Sequence, residues 1–220
     1  MSRRALVVMA ASFFVAAGSP ALAQDRTLTP RGEYARIDTR ATNEAIAALS
    51  RGDEAAQDRV IAQVKAQPEG FAPPVFYVLS RVLFQRGQKD EAAFWFYAGQ
   101  LRARFDANRC ADVSARQAVS ALNQQFGGPI NQYAFQDIAK LEALVPRVVA
   151  WDRQTPHRYD HRWINLHGMN AVLSATDPKA PAQAALSLPE AEWPQIAEKT
   201  RQDYLAGFRD AMVEMKNRRK

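Results

Sequence analysis

Apolar residues recur at helical spacing along most of the chain, and no stretch keeps the strict apolar–polar alternation of a half-buried strand. The pattern therefore predicts an all-α fold. Apolar stripes, capping residues and breakers divide it into eight helices, which we expect to pack as four antiparallel hairpins. The expected helices cover residues 42–50, 54–66, 74–86, 90–105, 114–126, 131–151 with an interruption or kink at Pro146, 156–173, and a last helix from about 189 or 194 to 215.

Residues 75–105 form the most strongly patterned stretch and predict two helices joined by a polar turn at 86–90. The second helix carries four consecutive aromatic residues, Phe94, Trp95, Phe96 and Tyr97. Consecutive helical positions are rotated by about 100°, so these rings point to all sides of the helix. Such a helix is either buried on several sides or keeps an aromatic side chain available for a partner.

The same stretch resembles a tetratricopeptide repeat, and it is also similar to the related Sel1-like repeat. The family's Leu, Tyr, Gly, Ala, aromatic and small-residue positions fall at Leu79, Leu83, Gly87, Ala92, Phe96 and Gly99. It departs from the family at Leu83, where an aromatic residue is usual, and at Arg104, where proline is usual. A fainter copy at Gly52, Ala56, Val60 and Pro68 lies 35 residues earlier, close to the family period of about 34. The resemblance implies stacked hairpins with a concave surface for a protein or peptide; the alternative is two hairpins of an ordinary α-domain.

The N-terminus has the layout of a secretory signal peptide. Arg3 and Arg4 precede a mostly apolar run of thirteen residues, 5–17, and Ala21 and Ala23 flank a leucine as in an A-x-A cleavage site. The alternative, an uncleaved membrane anchor, needs roughly 20 apolar residues. We therefore expect no stable membrane anchor. The expected organisation is a signal peptide over 1–23, cleaved after Ala23, a flexible segment over 24–41 and one α-helical domain over 42–220, in a bacterial periplasm or outside the cell.

Charge and cysteine content narrow the classes of partner. Removing residues 1–23 takes away two arginines and no acid, so the net charge falls from +6 to +4. The basic residues are scattered except in the last five positions, so nucleic acid is not an expected partner. Cys110 is the only cysteine, which excludes an internal disulfide. We expect its side chain to be a buried small apolar group.

All three histidines lie within eleven residues, together with Asp160. On one helix, His157 and His161 would have the i, i+4 spacing of metalloprotease helices, which makes them the weak metal candidates. No glutamate follows the first histidine, and His167 would lie about 9 Å further along a helix rising 1.5 Å per residue. We therefore predict no metal and no cofactor. A hydrolase using His157, Asp160, His161 and His167 remains the alternative.

The sequence favours a binding protein over an enzyme. No nucleophile elbow is present, and Cys110 has no histidine next to it in sequence. The expected partner is another envelope protein or peptide, with an inhibitor or immunity protein as one specific version and a cell-wall polymer binder as a further alternative. Oligomeric state is not determined by the sequence. Tyr, Trp and Arg are favoured interface anchors, and the candidates for partner contact are Trp95, Tyr97, Arg102, Arg104, Trp151, Tyr159 and Trp163.

Overall fold

The computed structural model describes residues 29–177, 179 and 185–218. The predicted signal peptide lies outside this part of the chain. The all-α prediction is confirmed: the described residues contain α-helices and short 3-10 turns, and their only strand-like feature is an isolated bridge between Cys110 and Ser187. The helices are α1 (Arg40–Arg51), α2 (Glu54–Ala66), α3 (Pro73–Gln85), α4 (Lys89–Arg109), α5 (Gln117–Ala134), α6 (Ile138–Gln154), α7 (Met169–Thr176) and α8 (Trp193–Arg218). Within the described ranges, no helix combines the length and the apolar character needed to cross a bilayer.

Helix α4 lies at the centre of the molecule. It packs most extensively against α3 and also contacts α5, α6 and α8. Three of its four consecutive aromatic residues, Trp95, Phe96 and Tyr97, are buried, and Phe94 is half-buried. The return of α8 onto α4 and α6 goes beyond a simple solenoid, in which each repeat contacts only its neighbours. Burial on several sides is therefore the outcome for the aromatic helix.

Close approach of α3 and α4 depends on Gly99. A Cβ atom at this position would lie 3.1 Å from Cβ of Phe76 and 3.2 Å from Cδ2 of Tyr77. Phe76 and Tyr77 are themselves fully buried and belong to α3. Because the two helices meet at this point without a side chain between them, larger residues at position 99 would separate them.

Helix α5 passes through Gly127-Gly128-Pro129, where the sequence predicted a helix end. A proline inside a helix removes one hydrogen bond and costs about 3 kcal/mol or more. Packing outweighs this cost, because Phe126 and Ile130 are buried on either side of the proline. Gly127 also lies against Phe96. A Cβ atom added at Gly127 would lie 3.0 Å from Cζ of Phe96. The predicted cap of the next helix, Asn131, consequently lies inside α5.

The prediction for α6 was right in its second half and wrong at its start. The helix continues past Pro146 to Gln154, as favoured from the sequence. It begins at Ile138, because the Asp137 side chain accepts a hydrogen bond from the backbone N–H of Lys140 and so caps its first turn.

Residues 155–160 are not helical, which corrects the predicted helix start at Thr155-Pro156. Thr155 precedes a proline and takes extended backbone angles, φ −105° and ψ 111°, since the α region is disfavoured before proline. A 3-10 segment then covers His161–His167. The predicted turn at 106–112 is also shorter, because α4 extends to Arg109.

The chain ahead of α1 contributes to the structure. Tyr34, in a 3-10 turn over Gly32–Arg36, and Ile37 are buried together with Ala171 and Leu186. The backbone N–H of Asp38 donates a hydrogen bond to Asp160 at 2.9 Å. Sequence patterning did not anticipate this packing, because two isolated apolar residues show no period.

We expect the two helix-interior glycines Gly99 and Gly207 to respond differently to the same substitution. Gly99→Val should lower the free energy of unfolding by about 1–3 kcal/mol, since the added atoms overpack the α3–α4 contact. Gly207→Val, on the exposed part of α8, is the matched control, because nothing lies within 4 Å of an added Cβ there. Urea unfolding of both variants measures the difference. Equal effects would contradict the close contact described for Gly99.

Candidate functional site

A groove of about 530 Å³ opens between the start of α4, the end of α5 and the first half of α6. We call it the α4–α6 groove. Its apolar side chains form the floor and its charged side chains lie around the rim. The lining residues are Asp90, Glu91, Ala93, Phe94, Trp95, Tyr133, Ala134, Gln136, Asp137, Lys140, Leu141, Leu144 and Arg147.

The aromatic part of the floor is held by ring contacts from behind. Phe94 and Trp95 each pack edge-on against Trp151, with ring centroids 5.6 Å apart in both pairs. Offset and edge-to-face arrangements of this kind are favoured between aromatic rings. The indole N–H of Trp95 donates to Oε1 of Glu91 at 3.4 Å. The floor is thus a fixed apolar surface with one polar atom already satisfied.

Charged groups tie the groove's three helices together at its rim. Oδ1 of Asp90 accepts a hydrogen bond from the Tyr133 hydroxyl at 2.6 Å and pairs with Lys140. The hydrogen bonds from Lys140 and then Tyr133 hold the pKa of the Asp90 carboxyl below its usual range. Arg147 is exposed and has no ion-pair or hydrogen-bond partner among the described residues. Its guanidinium group is therefore available to a partner's carboxylate.

Behind the floor, one buried carboxylate joins three helices. Asp152 of α6 accepts hydrogen bonds from Nε of Arg102 on α4, at 3.1 Å, and from Nε of Arg201 on α8, at 2.9 Å. Nε2 of His157 lies 3.1 Å from the same carboxylate. Burial acts to raise the pKa of Asp152, but the His157 hydrogen bond and the charges of the three basic groups outweigh it and lower the pKa to about 2.

A second buried carboxylate, Asp106, lies on α4, one helical turn after Arg102. It accepts hydrogen bonds from Arg109 at 2.6 Å, from the Tyr159 hydroxyl at 3.0 Å and from the Trp163 indole N–H at 2.7 Å. Buried charges are tolerated when paired and hydrogen-bonded in this way. These contacts fix the non-helical segment after α6 against α4.

Most of the residues predicted to contact a partner are part of this interior. Trp95, Tyr97, Arg102 and Trp163 are buried, with Arg102 fully so. Trp151 and Tyr159 are half-buried. Most of these side chains therefore pack inside, where they make hydrogen bonds through Tyr97, Arg102, Tyr159 and Trp163, and their contact with a partner stays a prediction. Arg104 is exposed, and Trp95 alone of the seven lines the α4–α6 groove.

Sequence reasoning missed the rim of the groove. Asp90, Tyr133, Lys140 and Arg147 come from three helices, and no motif or spacing links them. The only usable sequence signal was the helical spacing of the apolar residues Leu141 and Leu144, because it marks the face of α6 on which the groove forms.

The four polar residues of the histidine cluster do not act together. His157 contacts Asp152, His161 lies 2.7 Å from the Ser187 hydroxyl, and His167 packs against the Trp163 ring. Asp160 binds Arg162. The i, i+4 relation proposed for His157 and His161 is absent because residues 155–160 are not helical. Among the residues that the structure describes, no group of three or more potential ligands could hold a metal ion.

Cys110 is buried at 3% exposure, as predicted. Its Sγ donates to the backbone carbonyl of Asp112 at 3.4 Å. Burial raises the pKa of the thiol to about 11. The thiolate form needed for nucleophilic attack is therefore scarce at neutral pH.

Comparisons with known proteins give no relative. No family model, no curated protein and no solved structure matches the chain. The geometry described above therefore carries the functional argument.

We expect His161 to make the fold less stable in mild acid. Burial, followed by the charge of Arg109, lowers the pKa of His161 from 6.5 to about 4. Between these values the unfolded chain binds a proton at this position and the folded chain does not, so stability falls as the pH drops from 6.5 towards 4. The stabilising contribution is fully present above pH 6.5.

Urea unfolding of wild type and His161→Gln across this range measures the effect. The free-energy difference between the two proteins should change steadily from neutral pH to about pH 4 and then level off. Comparing the two proteins at each pH cancels the contributions of the other titrating groups. Parallel stability curves would show that His161 titrates alike in both states.

Proposed function

We propose that the protein is an exported binding protein of the bacterial cell envelope, acting in the periplasm or outside the cell and not as a catalyst. Support for export comes from the basic region, apolar run and A-x-A site in residues 1–23. On this proposal cleavage follows Ala23 and the mature chain carries no membrane anchor. The proposed binding partner is another envelope protein or peptide. One specific form of this role is that of an inhibitor or immunity protein.

The α4–α6 groove carries this proposal. It has an aromatic and aliphatic floor surrounded by charged groups, which is the arrangement found at the centre of protein interfaces. Its volume of about 530 Å³ holds a few side chains of a partner. We therefore propose that one apolar anchor of the partner enters between Trp95 and Leu144 and that an acidic group next to it pairs with Arg147.

The resemblance to tetratricopeptide and Sel1-like repeats gives independent support. The resembling stretch contains α3 and α4, and α4 supplies Asp90, Glu91 and Trp95 to the groove. Helical repeats of this kind bind proteins and peptides on helix-lined surfaces. We propose that the first two hairpins, α1–α2 and α3–α4, stack in the manner of such repeats.

A photo-crosslinking experiment tests the proposal at the residue level. Benzoylphenylalanine is introduced at Gln136, which is exposed and lines the groove, in the protein expressed in its own cells. The matched control places the same group at Gln132, which is exposed in the same region but does not line the groove. We expect illumination to give one predominant adduct with an envelope protein or peptide from position 136 and none from position 132.

A charge reversal at the rim adds specificity to this test. Arg147→Glu should reduce the yield of the adduct several-fold, because it replaces an attraction with a repulsion. Arg59→Glu is the control, since Arg59 is exposed on α2 away from the groove. Equal yields at positions 132 and 136, or no adduct at 136, would contradict the proposed binding role of the groove.

A further inference from the structure

A second pocket, of about 320 Å³, lies on a different side of the central helix, between α4, the start of α5 and α8. Arg104 and Asn108 of α4 line one wall, Arg116 and Ser120 a second, and Asp203 and Tyr204 of α8 a third. None of these residues belongs to the α4–α6 groove. The pocket is therefore a separate site, and its lining is mostly polar and basic.

Two guanidinium groups on this pocket are unpaired. Arg104 and Arg116 are both exposed, and neither has an ion-pair or hydrogen-bond partner within the described ranges. The only carboxylate of the lining, Asp203, is already engaged, since both of its oxygens accept hydrogen bonds from Lys199 at 2.8–2.9 Å. An excess of positive charge thus faces the pocket, and such a field attracts and holds anions.

The back of the pocket is fixed before any ligand binds. Tyr204 donates its hydroxyl proton to Oε1 of Gln100 at 2.7 Å, and the Gln100 amide donates to Oδ1 of Asn123 at 3.1 Å. Asn123 also accepts a hydrogen bond from the buried Tyr77 at 2.7 Å. This relay orients the Tyr204 ring, over which the guanidinium of Arg104 lies with its Cζ 5.6 Å from the ring centroid.

The relay also leaves hydrogen-bond donors for a ligand. Because Oδ1 of Asn123 accepts two hydrogen bonds, its amide N–H₂ points away from them and has no partner in the part of the chain described. The Ser120 hydroxyl likewise has no partner among these residues. Two cations, Arg104 and Arg116, and two neutral donors, Ser120 and Asn123, therefore line a pocket whose one carboxylate, Asp203, is paired with Lys199.

We propose that this pocket binds a small organic phosphate monoester, with its phosphoryl group between Arg104 and Arg116. A phosphate monoester carries about −1.5 to −2 charges at neutral pH and three strong acceptor oxygens, which matches two guanidinium groups and two further donors. A carboxylate has one charge and two oxygens, which a single arginine satisfies. The volume of about 320 Å³ leaves room beyond the phosphoryl group for an organic substituent, which packs beside Tyr204.

Isothermal titration calorimetry of the mature protein with phenyl phosphate tests the proposal. At low ionic strength and neutral pH we expect saturable binding at one site. Arg104→Gln and Arg116→Gln should each raise the dissociation constant about tenfold, as loss of one charge-assisted contact predicts. The double variant should show no saturation. Arg59→Gln is the control and should bind as wild type does. The substituted side chains are exposed, so folding is expected to be retained, and circular dichroism checks this.

Two further probes decide the class of ligand. Benzoate matches phenyl phosphate in its ring but carries a carboxylate, and we expect it to bind at least tenfold more weakly; equal or tighter binding would overturn the phosphate assignment. Vesicles containing phosphatidic acid test a membrane as the source of the phosphate. Arg104-dependent binding to the vesicles without binding of phenyl phosphate would overturn the proposal of a small soluble ligand. Phenyl phosphate affinity that is absent, or unchanged in both variants, would overturn the site itself.

Discussion

The contact between Arg102 and Asp152 is the constraint on which the rest of the structure depends. It places a full charge pair in the interior, where Arg102 is fully buried and Asp152 is 3% exposed. Desolvation of two charges is costly and is offset only by good geometry and further hydrogen bonds. Asp152 receives those additional contacts from Arg201 and His157, and Nη2 of Arg102 donates to the carbonyl of Thr155 at 2.7 Å. One carboxylate thereby joins α4, α6 and α8 near the end of α6.

This buried pair also shapes the surface that we propose as the binding site. The Arg102 guanidinium lies over the ring of Trp151, with its Cζ 4.4 Å from the ring centroid, and Trp151 directly precedes Asp152 on α6. Trp151 in turn packs against Phe94 and Trp95, whose other sides line the α4–α6 groove. Binding surfaces are more effective when they are ordered before the partner arrives. The chain of contacts from Asp152 through Trp151 supplies that order to the floor of the groove.

The fold class and most helix positions could be predicted because each helix carries its own apolar period, as α2 and α3 show. Errors arose where distant contacts override local signals. Gly127-Gly128-Pro129 is a strong local breaker, yet α5 continues because Phe126, Gly127 and Ile130 pack inside.

The two sites were harder to predict than the fold. Trp163 and Tyr159 are of residue types that often anchor interfaces. Only their hydrogen bonds to Asp106 in the folded structure show that they are internal. The groove rim and the Arg104–Arg116 pocket combine residues that no sequence spacing connects.

The most direct test of the central interaction is a double-mutant cycle on Arg102 and Asp152, with the free energy of unfolding measured by urea denaturation. Arg102→Met and Asp152→Asn should each lower it by about 3 kcal/mol or more, because each leaves a buried charge without its main partner. The double variant should lose less than the sum of the two by at least about 1 kcal/mol, since both charges are then removed. Losses that add to within about 0.5 kcal/mol would show that the two side chains act independently and would contradict the account.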